Sequence, residues 1–110
     1  MILVIGGSYQ GKTEYARKNF PKAKFFNHTQ TFIRKRTDDG LTQEQILDEI
    51  HEATSEGEWV IISDEIGSGI VPLDYDDRHW RENTGRILIQ LAKEATEVHK
   101  VTVGIGQRLK

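Results

Sequence analysis

Cysteine is absent from this 110-residue chain. Its absence excludes disulfides, thiolate metal sites and a cysteine nucleophile. The redox compartment stays open on that count, although a small secreted domain would often carry disulfides. No apolar run approaches the roughly 20 residues needed to cross a bilayer. The opening Met1-Ile2-Leu3-Val4-Ile5 is too short for a signal core and lacks a basic flank, so the expectation is a cytoplasmic chain with no membrane partner. Neither sign of charge dominates: 15 Lys and Arg stand against 17 Asp and Glu, a net −2. Broad electrostatic binding to nucleic acid or anionic lipid is therefore not expected. No internal repeat or low-complexity tract is visible. What remains is 36% hydrophobic and 29% charged, a globular and polar composition. At this length the expectation is one domain, 1–110, with a real but small core.

The order of apolar segments predicts an α/β fold. Ile2 to Ile5 is a continuous apolar run that suits a strand buried on both faces of a parallel sheet. Lys12 to Phe20 reads as a helix stopped by Pro21, and Lys24-Phe25-Phe26 as a second strand. Asn27 to Gly40 is polar and reads as a loop. Thr42 to Glu56 reads as a helix, with a Thr42/Gln45 capping box, a Leu41/Ile46 staple, an apolar face of Ile46, Leu47, Ile50 and Ala53, and Gly57 at C′. Trp59 to Ser63 is a third strand, Gly67 to Pro72 a loop, Asp74 to Glu97 a long helix and Val98 to Val103 a fourth strand. Along that long helix Trp80, Thr84, Ile87, Leu88, Leu91 and Ala95 fall on one side. The pattern β-α-β-α-β-α-β predicts a four-stranded parallel sheet with right-handed crossovers.

One segment carries chemistry on its own. Gly6-Gly7-Ser8-Tyr9-Gln10-Gly11-Lys12-Thr13 fits G-x-x-x-x-G-K-[ST], with a strand before it and a helix after it. Glycines let the backbone curl so that successive N–H groups face one anion, and the helix start adds partial positive charge. Lys12 can reach the β- and γ-phosphates of GTP or ATP, and the Thr13 hydroxyl can ligate Mg²⁺. The competing reading is a glycine-rich turn with an exposed lysine. Asp64 and Glu65 end the third strand, on the edge where open parallel sheets bind ligands. One of them could hold Mg²⁺ or act as a base toward a hydroxyl; the plain alternative is a pair of solvated acids.

Other side chains weigh less. His28 follows the second strand and could touch nucleotide or serve as a nucleophile, though a lone loop histidine is more often merely polar. His51 reads as a helix-surface residue, and His79 and His99 show no pairing pattern. No metal-type histidine spacing occurs. Arg78, Arg81 and Arg86 lie near one another on the last helix and could clamp phosphate or form a solvated face. Arg34-Lys35-Arg36 reads most simply as a solvated loop.

Ser63-Asp64-Glu65-Ile66-Gly67-Ser68-Gly69-Ile70-Val71-Pro72 resembles the S-N-E-V-G-x-G-I-V-P segment of the bifunctional adenosylcobinamide kinase / adenosylcobinamide-phosphate guanylyltransferase family. Arg78-His79-Trp80-Arg81 resembles its R-x-F-R, Gly85-Arg86 its G-R, and Leu91-Ala92, Glu97-Val98, Gly104-Ile105 and Lys110 also fit. The resemblance implies a RecA-like P-loop fold, a small mostly parallel sheet flanked by helices, and cobalamin-pathway chemistry: phosphorylation of adenosylcobinamide, then GMP transfer through a histidine. It favours Glu65 over Asp64 as the catalytic acid, leaving Asp64 to the metal. It also sets Asn27, His28 and Thr29 near the nucleotide. This chain departs from the family in being shorter, in lacking a helix-borne R-I-x-x-H-like pattern, in Asp64 for asparagine, and in Leu88-Ile89 for Asn-Gln. Those departures leave the transferase half and the corrinoid site open. The expected function is a kinase using GTP or ATP; the alternative is a nucleotide-binding regulatory or assembly protein without turnover. A homo-oligomer is expected, with Trp80, Leu88 and Ile89 as contact candidates.

Overall fold

A computed structural model describes residues 1–65 and 75–110, without the side chains of 75 and 76. The Gly67–Pro72 loop expected from sequence lies outside the described residues. In chain order the elements are β1 Ile2–Gly6, α1 Lys12–Asn19, β2 Lys24–Phe26, α2 Thr29–Asp38, α3 Gln43–Ala53, β3 Trp59–Asp64, α4 Tyr75–Glu94, β4 Glu97–Thr102 and β5 Ile105–Arg108. They build one five-stranded sheet in the order β2-β3-β1-β4-β5. The first four strands run parallel, with Leu3 opposite Ile61 on one side and Val98 on the other. β5 runs antiparallel to β4, pairing Thr102 with Ile105 and Val101 with Gly106.

Side chains alternate across a strand, and the two faces of the sheet collect two cores. Val4, Val60, Ile62 and Val101 meet Ala16 of α1. Leu3, Ile61 and Val98 meet Ile33 of α2, Ile46 and Ile50 of α3, and Ile87, Leu91 and Ala95 of α4. The sheet is thus covered by α1 on one face and by three helices on the other, the layered arrangement of an α/β protein.

Four expectations are corrected. Asn27 to Gly40 is not a loop: it holds α2. Phe32 and Ile33 were too few to make a period visible, because the buried stripe of α2 is Thr29, Ile33 and Thr37. The two threonines are buried with partners: Thr29 Oγ1 donates to the Phe26 carbonyl, and Thr37 Oγ1 accepts from Asn83 Nδ2. Two helices, not one, therefore join β2 to β3. Among the described residues the sheet has five strands rather than four, since β5 returns along β4. α4 stops at Glu94 and β4 begins at Glu97, so Ala95 and Thr96 connect the two and Glu97, the expected helix end, is strand. Finally, α3 ends at Ala53 with Thr54 as its cap, and Ala53 is exposed rather than on the buried face. Gly57 sits beyond C′, at φ 89. The capping box itself is present: Gln45 N donates to Thr42 Oγ1 at 3.2 Å and Thr42 N to Gln45 Oε1 at 2.9 Å.

Candidate functional site

The carboxyl ends of β1 and β3 open onto a cavity of about 560 Å³. It is lined by Ser8, Tyr9, Gln10, Gly11, Lys12, Thr13 and Glu14 from the loop and α1. Asn27, His28 and Gln30 close a second side, and Ile62, Ser63 and Asp64 form the floor. Gly6 ends β1 so close to the Val101 carbonyl that a Cβ there would collide with it. Beyond it the loop turns through Tyr9 at φ 59 and Gly11 at φ 85. Gly11 precedes α1 directly, so the first free amides of that helix open toward the loop.

Lys12 is buried, and a buried ammonium needs partners. It has two: the Gly7 carbonyl at 2.6 Å and Asp64 Oδ1 at 2.8 Å. The second oxygen of Asp64 accepts from Ser8 Oγ at 2.8 Å, and the Asp64 amide donates to Gln30 Oε1 at 3.0 Å. Partial burial pushes the Asp64 carboxyl up. The hydrogen bonds from Lys12 and Ser8, then the charges of Lys12 and His28, outweigh that and leave it below the usual aspartate value. Thr13 Oγ1 accepts from Asn27 Nδ2 at 3.0 Å, and the Asn27 side-chain carbonyl in turn accepts from the His28 amide at 2.8 Å. His28 holds φ 54, uncommon for a residue other than glycine, at the start of α2.

These contacts place the expected residues unevenly. Ser8 to Thr13, Asn27, His28 and Asp64 meet around one space. Gly6 and Gly7 shape the chain behind it without lining it. Thr29 is wholly buried, facing the Phe26 carbonyl rather than the cavity. Glu65 does not line the cavity either: its carboxylate lies 3.4 Å from Lys100 Nζ, and its amide donates to the Gly6 carbonyl at 2.7 Å. Gln30 was missed because it falls in the stretch read as loop; a helix there would have put it in the first turn, where its side chain reaches the end of β3. Arg34-Lys35-Arg36, read as a solvated loop, is helical. Arg34 stacks over the Trp80 ring at 4.6 Å, and Arg36 Nε meets Glu49 at 3.0 Å. His99, which shows no pairing pattern in the sequence, is buried between Tyr15 Oη at 2.8 Å and Glu97 at 3.0 Å. Trp80 and Leu88 pack against the core, while Ile89 is 59% exposed.

Oxygen ligands suit Mg²⁺, and it usually keeps several waters besides one or two protein groups and substrate phosphates. The Thr13 hydroxyl and the Asp64 carboxylate are hard oxygens of that kind on the cavity wall. No cluster of three or more His, Cys, Asp or Glu able to hold a metal occurs among the described residues. Two oxygen donors of this kind suit a metal that brings phosphate and water ligands with it.

A buried strand, a glycine-framed loop, a helix starting at its lysine, and an acid from the neighbouring strand together define an α/β protein of the RecA-like P-loop class. The comparison with known families narrows this. The model of the cobinamide kinase / cobinamide phosphate guanyltransferase family matches residues 26–109, and the chain belongs to that family. It is similar to the bifunctional adenosylcobalamin biosynthesis protein CobU of Escherichia coli, 45% identical over 51 residues, and to that of Salmonella typhimurium, 43% identical over 51 residues. Each match takes in 46% of this chain and 28% of the relative. No helix among the described residues is long and apolar enough to cross a membrane.

Proposed function

We propose that this chain is a P-loop kinase of cobalamin biosynthesis, transferring the γ-phosphoryl group of GTP or ATP to the hydroxyl of adenosylcobinamide. The observation that carries the reading is the meeting of Lys12, Asp64, Ser8 and Thr13 on one cavity at the carboxyl edge of a parallel sheet. Phosphoryl transfer needs positioning and charge neutralisation more than covalent chemistry. Loop amides from Ser8 to Thr13 would hold the phosphates, and Lys12 would move from Asp64 to the phosphate oxygens. Thr13 and Asp64 would hold Mg²⁺, which when bound neutralises charge on the β- and γ-oxygens. Asn27 and His28 close the nucleotide side. Glu65 would accept the proton of the acceptor hydroxyl once released from Lys100. Residues 1–110 act in this reading as a single nucleotide-binding domain, cytoplasmic and assembled as a homo-oligomer.

A second reading is favoured by one contact. Glu65 is tied to Lys100 rather than turned to the cavity, as in a nucleotide-binding regulatory or assembly protein without turnover. Transfer of label from γ-labelled GTP and ATP to adenosylcobinamide separates the two. Label on the cobinamide supports the kinase. Tight binding in calorimetry with no transfer supports the second, and light scattering with and without nucleotide reads the oligomer. Absence of nucleotide binding rejects both.

A further inference from the structure

The β4–β5 connection is a two-residue turn, Val103-Gly104, closed by the pair Thr102–Ile105. Both turn residues have positive φ, 45 and 78, the type I′ geometry whose twist matches a hairpin. For Val103 this is costly, because a β-branched residue resists the left-handed region. The amides of such a turn lie outside the strand ladder and need other acceptors. Both find them on one residue of the phosphate loop. Val103 N donates to the side-chain Oε1 of Gln10 at 2.6 Å, and Gly104 N to the main-chain carbonyl of Gln10 at 2.8 Å. The contact is close: a Cβ added at Gly11 would stand 3.3 Å from the Gly104 Cα.

The consequence lies in the peptide plane. In a trans peptide the carbonyl of one residue and the N–H of the next point in opposite directions. Fixing the Gln10 carbonyl on the turn therefore sends the Gly11 N–H away from it. Gln10 also sits between Tyr9 and Gly11, the two left-handed residues of the loop, where an untethered backbone has most freedom to collapse.

We infer that Gln10 is a positioning residue: its side-chain oxygen, beside its main-chain carbonyl, ties the phosphate loop to the β4–β5 turn, and together they hold the loop amides in the arrangement that receives the polyphosphate of a nucleoside triphosphate. The inference rests on the nucleotide site proposed above. It makes the C-terminal hairpin part of that site without giving it any contact to the ligand.

The test compares wild type with Gln10→Met, which keeps the length of the side chain and removes the acceptor. Gln10→Asn, whose amide is one methylene too short, serves as second variant should the first not fold. Amide exchange at Val103 and Gly104 is followed together with titration by GTP and ATP in Mg²⁺. The expected result is faster exchange at Val103 and nucleotide affinity at least tenfold weaker in folded variant. Lys12→Ala weakens affinity while leaving exchange at both amides slow, which separates the tie from the charge. Unchanged affinity in Gln10→Met overturns the inference. So does a variant that merely melts earlier while its folded fraction binds like wild type. If wild type binds neither nucleotide, the nucleotide reading fails and this inference falls with it, whatever the exchange at Val103 records.

Discussion

At the scale of single residues the site is a charge problem solved locally. Lys12 is buried and neutralised by Asp64, so the pair can be altered from either end. On the nucleotide reading proposed above, Lys12→Ala would remove charge-assisted hydrogen bonds to phosphate worth roughly 1.5–3 kcal/mol. Triphosphate affinity should fall by about ten- to a hundredfold, read by calorimetry. Asp64 gives a pH signature. Its carboxyl is held below the usual value in the folded protein, so the unfolded chain takes up a proton first as pH falls. The stabilisation it gives is complete above the ordinary aspartate pKa of about 3.9 and is lost on the acid side as pH falls toward the folded value. Melting temperature measured from pH 6 to 2.5 should drop less steeply for Asp64→Asn than for wild type. An equal drop would show that Asp64 contributes nothing. Val103 carries a different kind of cost. Val103→Asn should raise stability by about 1 kcal/mol, because Asn-Gly fits a type I′ turn that a β-branched residue strains. Chemical denaturation checks this through the midpoint at unchanged slope.

At the scale of elements, signals readable within one turn were legible and those needing a partner were not. The α3 start is the clearest case: Thr42 and Gln45 cap each other using neither sheet nor neighbour. Thr42→Ala should cost about 1 kcal/mol, measured by denaturant unfolding; no loss would mean solvent satisfies those amides equally well. α2 is the opposite case. Its buried stripe includes two threonines, and their burial is acceptable only because Phe26 and Asn83 supply partners. Nothing in residues 27–40 announces those partners. β5 was hidden for a similar reason: Ile105-Gly106-Gln107-Arg108 has no apolar period, and it is a strand because β4 offers it an edge. Gly106 is required there, since a Cβ would enter the Tyr15 ring. Gly106→Ala should displace Tyr15 and cost about 1–3 kcal/mol through overpacking. Loss of the Tyr15–His99 hydrogen bond in the histidine ring resonances would report the displacement.

At the scale of the whole molecule, ligand and fold are linked by mass action. Nucleotide at about 100 times its dissociation constant should add roughly 2.7 kcal/mol to the stability of wild type. A thermal shift of several degrees in wild type, cut to about half or less in Lys12→Ala at the same nucleotide concentration, is the expected reading. The same shift in both would place the nucleotide elsewhere. The sequence by itself determined the buried first strand, the glycine-framed turn that ends in Lys12, the helix behind it and the family, because these rest on neighbours in the chain. Tertiary structure alone decided which acid meets Lys12. Asp64 and Glu65 are adjacent in sequence, yet the register of β3 beside β1 turns one to the loop and the other to Lys100. It alone decided that the loop is braced by a turn more than ninety residues later, since only folding gives unpaired amides of a hairpin the carbonyls they lack.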